Sequence, residues 1–135
     1  FGYWSHAFLH IEEESLREID LQILEAVGQG VKVSEFWDVL TCDSIVLLKP
    51  KNYTEEEFDQ AMRHAKAYIG RPYDNVFNIH SDKNLSCVEY VYRSLLNSDP
   101  SGLPQLVQWV DRVNNLTPDM IYECGDFEIS LEIRR

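Results

Sequence analysis

Near the end of the chain, Phe127-Glu128-Ile129-Ser130-Leu131-Glu132-Ile133-Arg134 alternates apolar and polar side chains one for one. A period of two predicts an edge strand with one wet face, whose charges resist unwanted pairing. At the other end, Tyr3 to Ile11 is patterned differently, with His6, Phe8 and His10 on one face and Ala7, Leu9 and Ile11 on the other. Neither face is plainly polar, which predicts a central strand covered on both sides. Leu21 to Val27 is the next strand, with Leu21, Ile23 and Glu25 on one face, so that Glu25 is a carboxylate in apolar company. Gly28-Gln29-Gly30 turns the chain into Val31-Lys32-Val33, and Ser44 to Lys49 is a further β-prone run stopped by Pro50.

Helical spacing occupies the middle. Thr54 and Glu57 form a capping-box pair ahead of the stripe Phe58, Ala61, Met62, Ala65, Tyr68 and Ile69, which Gly70 terminates. Ser86 and Glu89 repeat that signature before the seam Val88, Val91, Tyr92 and Leu95. Ser34 to Leu40 reads as a short helix capped by Ser34, with Phe36, Trp37 and Leu40 as its apolar contacts. Pro104 opens a helix bearing Leu106, Val107, Trp109, Val110 and Val113, and Thr117-Pro118-Asp119 opens a shorter one. His64, between Arg63 and Lys66 in register, faces solvent. Of the connections, Glu12 to Asp20 is charged and solvated, and Gly70-Arg71-Pro72-Tyr73-Asp74 is a stiff turn. Val76-Phe77-Asn78-Ile79 returns to the interior, and Asn97 to Gly102 is polar. Strands and helices interleave without a repeat, giving an α+β chain that forms one domain over residues 1–135.

Charge narrows the partners. The net charge of −11 argues against the phosphate backbone of nucleic acid, whose affinity for proteins comes mainly from Lys and Arg. No apolar run approaches the length of an integral membrane segment, no targeting segment is recognisable, and the compartment stays open. Three cysteines, Cys42, Cys87 and Cys124, contain no CxxC pair; a Cys42 to Cys124 disulfide requires an oxidising compartment.

Cys87 carries the candidate chemistry. At the first position of a capped helix, its sulfur meets unsatisfied amide hydrogens and the positive end of the helix dipole, which favours thiolate. His6, on an early strand beside the small residues Gly2 and Ser5, is the candidate base, and Glu25 on the next strand the group that orients it. His10, two residues along the same face, is an alternative base or orienter. Tyr73 offers a hydroxyl to an oxyanion or substrate, or is a buried aromatic with a bonded hydroxyl. A metal site from His6, His10, Glu25 and Cys87 is the competing reading, but its spacing is diffuse and HExxH is absent.

Taken in order, Ser5-His6, Ile23-Leu24-Glu25-Ala26 with Gly30-Val31, Gly70-Arg71-Pro72-Tyr73-Asp74 and Ser86-Cys87-Val88-Glu89-Tyr90-Val91 resemble the circularly permuted, YiiX-like branch of the NlpC/P60 papain-like superfamily. The likeness runs over nearly the whole chain, with the His ahead of the Cys. It implies a papain-like fold in permuted order, a central, mostly antiparallel sheet packed against helices. It also implies Cys87 as nucleophile, His6 as base, Glu25 as third polar residue and Tyr73 as the aromatic of the Gly-basic-Pro-Tyr-Asp segment. No cofactor or metal is then needed. The implied activity is cleavage of an amide in a peptide, a cell-wall-derived peptide first. The alternatives are a lipid amidase or acyltransferase and an inactive binding module on the same fold. A Gly-Asp-containing strand that often precedes the His segment is absent from this sequence. An altered edge there leaves room for a homodimer.

Overall fold

The computed structural model describes residues 3–10 and 22–134. The charged connection expected over Glu12 to Asp20 lies outside them, as do Ile11 and Leu21. Two antiparallel sheets and four α-helices make up the rest. The first sheet has the order β1-β2-β3, with β1 at Leu9–His10, β2 at Gln22–Val27 and β3 at Gly30–Glu35. The second is a ribbon of β4 (Ser44–Pro50) and β5 (Phe127–Arg134). The helices are α1 (Glu55–Ala67), α2 (Cys87–Ser98), α3 (Pro104–Val113) and α4 (Pro118–Glu123).

The strand covered on both faces is β2, not the first one. Ile23, Leu24 and Ala26 are fully buried, and Glu25 is buried among them. Among the described residues of the first segment, only Leu9 and His10 join the ladder, opposite Leu24 and Ile23, so β1 is an edge of the described sheet and residues 3–8 have no strand pairing in it. Other bonds hold that segment: the Trp4 N–H donates to Asp119 Oδ1 at 2.9 Å, and the Arg134 guanidinium lies 4.5 Å from the Tyr3 ring centre.

The turn into β3 fixes a second approach. Gly30 takes φ +108, and a Cβ there would lie 2.7 Å from the Arg71 carbonyl oxygen. That proximity lets Val31 N–H donate to Arg71 O and Gly70 N–H donate to Val31 O, each at 2.9 Å, which ties the stiff turn to the sheet. The chain stays extended longer than expected after this turn. Ser34 and Glu35 belong to β3, Ser34 caps nothing, and only Phe36–Val39 forms a short 3-10 turn.

Capping chemistry places α1 and α2. Thr54 and Ser86 both make complete capping boxes, with Glu57 and Glu89. The two helices pack together through Ala61, Ala65, Tyr68, Tyr90 and Val91, and the buried Tyr90 hydroxyl donates to Ala65 O at 2.8 Å. Ile69, expected in the stripe, is exposed because the helix has ended at Tyr68. Helix α3 is capped at a distance by Asp126, whose buried carboxylate accepts from the main chain of Gln105 and Leu106. Val113, at its last turn, is exposed.

Two further expectations are corrected. Val76 and Phe77 do not return to the interior: they are 81% and 57% exposed on the turn after Asp74, and only Ile79 packs inward. Strand β5 is an edge strand as expected, but its apolar side chains Ile129, Leu131 and Ile133 remain exposed. Cys42 is exposed and Cys124 buried, and no disulfide joins them.

Candidate active site

Helix capping sets the position of the thiol. The Ser86 hydroxyl accepts the Glu89 N–H at 3.3 Å while Ser86 N–H donates to Glu89 Oε1 at 3.1 Å, so Cys87 is the first helical residue. Its own N–H belongs to the turn that lacks intrahelical acceptors. The side chain is buried, 8% exposed.

His6, on the extended segment that leads into β1, and Glu25, on β2, come together to meet it. The His6 Nε2–H donates to Glu25 Oε1 at 2.8 Å, which fixes the ring and leaves Nδ1 for the sulfur. The interaction with Cys87 is the strongest influence on His6, and with Glu25 it raises the imidazole above its ordinary value against the effect of burial. On Cys87 burial is the largest single influence and opposes ionisation. The hydrogen bond and charge of His6, with main-chain hydrogen bonds from Ala7 and Val88, outweigh it and hold the thiol below its usual range. Both shifts point the same way, toward a thiolate–imidazolium pair.

Tyr73 completes the group. Burial first, then the charge of the nearby Cys87 sulfur, raises its phenol, so the hydroxyl stands beside Cys87. The Leu85 N–H donates to Pro72 O at 2.9 Å, which docks the stiff turn against the residues preceding α2. Four segments of the chain thus bring Cys87, His6, Glu25 and Tyr73 together. His10 is elsewhere: its ring lies 5.2 Å from that of Phe36, and it takes no part in the shifts of Cys87 or His6. Sequence reasoning missed three contributors. The Ala7 main chain reaches the sulfur simply because it follows His6, and no side chain could have signalled it. Asp74 and Glu89, read as a turn residue and a cap, face each other beside the site.

A cleft of about 1780 Å³ opens between residues 3–10 and β4. His6 is on its wall, but Cys87, Tyr73 and Glu25 are not. Among the described residues, no three His, Cys, Asp or Glu side chains gather as metal ligands.

A thiol at a helix start, an imidazole on the segment entering a sheet and a carboxylate bonded to it suit a papain-like fold, here with the imidazole earlier in the chain than the thiol. Residues 2–108 match the family described as "Permuted papain-like amidase enzyme, YaeF/YiiX, C92 family", and the chain belongs to it. Among solved structures it is similar to the metalloprotein yiiX from Escherichia coli O157:H7, DUF1105. The TM-score is 0.68 at 16% identity, over 97% of this chain and 98% of that one. That likeness is one of fold. A search of curated proteins returned no match. No helix among the described residues is long and apolar enough to cross a membrane.

Proposed function

We propose that the protein is a cysteine amidase that cleaves its substrate through an acyl-enzyme. The observation that carries this is the chain of contacts from Glu25 to His6 to Cys87, with the imidazole raised and the thiol lowered. The Cys87 thiolate attacks the amide carbonyl carbon, and the resulting oxyanion is met by the Cys87 N–H and the Tyr73 O–H. The His6 imidazolium gives its proton to the nitrogen of the leaving amine, and the C–N bond breaks. Water then attacks the thioester, losing a proton to His6. The acid leaves, and the sulfur recovers its place in the pair. Glu25 holds the ring and balances its charge throughout.

The structurally similar yiiX protein is called a metalloprotein. Here His6 spends Nε2 on Glu25, His10 leans on Phe36, and the donor set does not converge as a ligand sphere. No step is routed through a metal.

A peptide, with cell-wall-derived peptides first, is the substrate class we favour. A lipid-like amide is the second reading, and one observation favours it: Val76 and Phe77 stand exposed on the turn that follows Tyr73. The test begins with the pH dependence of Cys87 alkylation in the parent and in His6→Ala, with intact mass and site mapping to set aside Cys42 and Cys124. Fast labelling below about pH 7 that depends on His6 supports an activated thiolate. Labelling like that of an ordinary thiol, unchanged in His6→Ala, overturns the reading in favour of a binding module on this fold. Peptide amides and N-acyl amides of increasing chain length then separate the two substrate classes.

A further inference from the structure

Asp74 and Glu89 are two buried acids beside the reactive thiol, 2% and 3% exposed. Their other contacts divide them. The Asp74 carboxylate accepts three main-chain N–H groups, Val76 and Phe77 at 2.9 Å on Oδ1 and Asn78 at 2.7 Å on Oδ2, which is the environment of an anion. Glu89 Oε1 is occupied by Ser86 N–H, whereas Oε2 is buried and no N–H or hydroxyl group donates to it. The two buried carboxyls influence each other, and like charges sharing a dry site are disfavoured unless one of the pair holds a proton.

We propose that Glu89 carries a proton on Oε2 and gives it in a hydrogen bond to Asp74, latching the turn that bears Tyr73 onto the first turn of the Cys87 helix. Loss of that proton replaces the bond with two like charges and releases the turn. This role rests on the amidase reading, since it sets the distance between Tyr73 and the sulfur. Glu89 is a positioning residue and Asp74 its acceptor.

The surroundings support the assignment of the proton. Burial, chiefly, and the Asp74 charge push Glu89 up to about 7, against the hydrogen bonds of Ser86. Burial also opposes charge on Asp74, but Glu89 and the bonds to the three N–H groups together hold it below the ordinary value. Of the other titratable groups, Tyr73 faces the pair from the turn and Cys87 lies beyond it. Arg93, one helical turn on from Glu89, commits its guanidinium to the Ile79 carbonyl, and Arg71 pairs with Asp82. The turn also holds Phe77 at φ +55, a conformation costly for a bulky residue, so its geometry depends on the Asp74 bonds that impose it.

Amide spectra of the parent and of Glu89→Gln between pH 5 and 9 read the latch directly. In the parent the Val76, Phe77 and Asn78 amides shift together with a midpoint near 7. In Glu89→Gln, which keeps a donor for Asp74, that step is absent. A parent with no such step, or a variant that retains it, overturns the proposal. Acylation by 4-nitrophenyl acetate reads the consequence at Cys87. In the parent the rate falls about tenfold above the same midpoint, and in Glu89→Gln it holds its plateau. Acylation that ignores the midpoint overturns the positioning role. An amide step without acylation at any pH supports the latch and instead counts against the amidase reading.

Discussion

Replacing Glu25 by Gln tests the charge that supports the imidazolium while leaving an oxygen to accept from Nε2. The bond is 2.8 Å long and its acceptor is buried, whereas about a third of the His6 side chain meets water. A hydrogen bond between charged groups is worth about 1.5–3 kcal/mol and a neutral one about 1. The difference, reduced for solvent screening of the exposed ring, is about 1 kcal/mol, a little under one pKa unit. The cleanest background is Cys87→Ala, where the imidazole titrates without a coupled thiol. There, the His6 ring protons followed by NMR should show a midpoint lower by somewhat under a unit when Glu25→Gln is added. With Cys87 present, the same loss removes the ion pair from the alkaline side and slows alkylation at neutral pH severalfold. The stability effect has a definite sign. A raised imidazole contributes stability fully present below about 6.5, its unperturbed value, and lost as pH rises through the folded value, so the variant is less stable mainly in acid. A His6 midpoint that stays put or rises would refute the assignment of Glu25.

Four other outcomes follow from single contacts. Cys87→Ala should abolish turnover of any amide the parent cleaves and change stability by no more than about 1 kcal/mol in urea, since only one sulfur leaves the core; parental activity would remove Cys87 from the mechanism. Gly30→Ala forces φ +108 on a residue whose Cβ meets the Arg71 carbonyl, and should cost at least about 2 kcal/mol, measured by urea unfolding. Asp126→Ala strips the buried cap from Gln105 and Leu106, and a loss of about 2 kcal/mol with fraying of α3 in hydrogen exchange is expected. Glu89 keeps its proton in the folded state up to about 7, against an ordinary value of 4.5. Stability should therefore fall as pH rises across that interval by about 3 kcal/mol, and Glu89→Gln should flatten the slope of Tm with pH.

Local rules were the most legible part of the fold. Both capping boxes stand at Thr54 and Ser86, because a cap is written in residues three apart and needs nothing from the rest of the chain. Burial was less legible. The apolar run Tyr3 to Ile11 implied a covered strand, but sheet position is decided by which strands find partners, and β2 took the centre. Val76 and Phe77 looked like core residues, yet Asp74 binds the next main-chain N–H groups and turns both outward. Ser34 has the composition of a helix cap, but its backbone is held opposite Ile23 in the ladder. In each case a contact outside the local window overrode local propensity.

The same distinction explains the site. Cys87 could be singled out because its setting is a helix start, a property of its immediate neighbours. That His6 and not His10 lies beside the sulfur could not be read from alternation, which puts both on one face. The choice depends on where β1 ends in the ladder and on the Trp4 to Asp119 bond that carries the preceding segment across α4. Tyr73 is placed by a chain of backbone contacts, from Gly30 to Arg71 and from Pro72 to Leu85, that no side-chain pattern encodes. The geometry of the proposed site therefore depends on three ties, two of them far from the sulfur in sequence. A substitution at Asp119 should disturb His6 while leaving the Tyr73 turn in place, whereas one at Gly30 should do the reverse. Separate loss of the His6-dependent and Tyr73-dependent effects on Cys87 alkylation would distinguish this arrangement from a site that collapses as a unit.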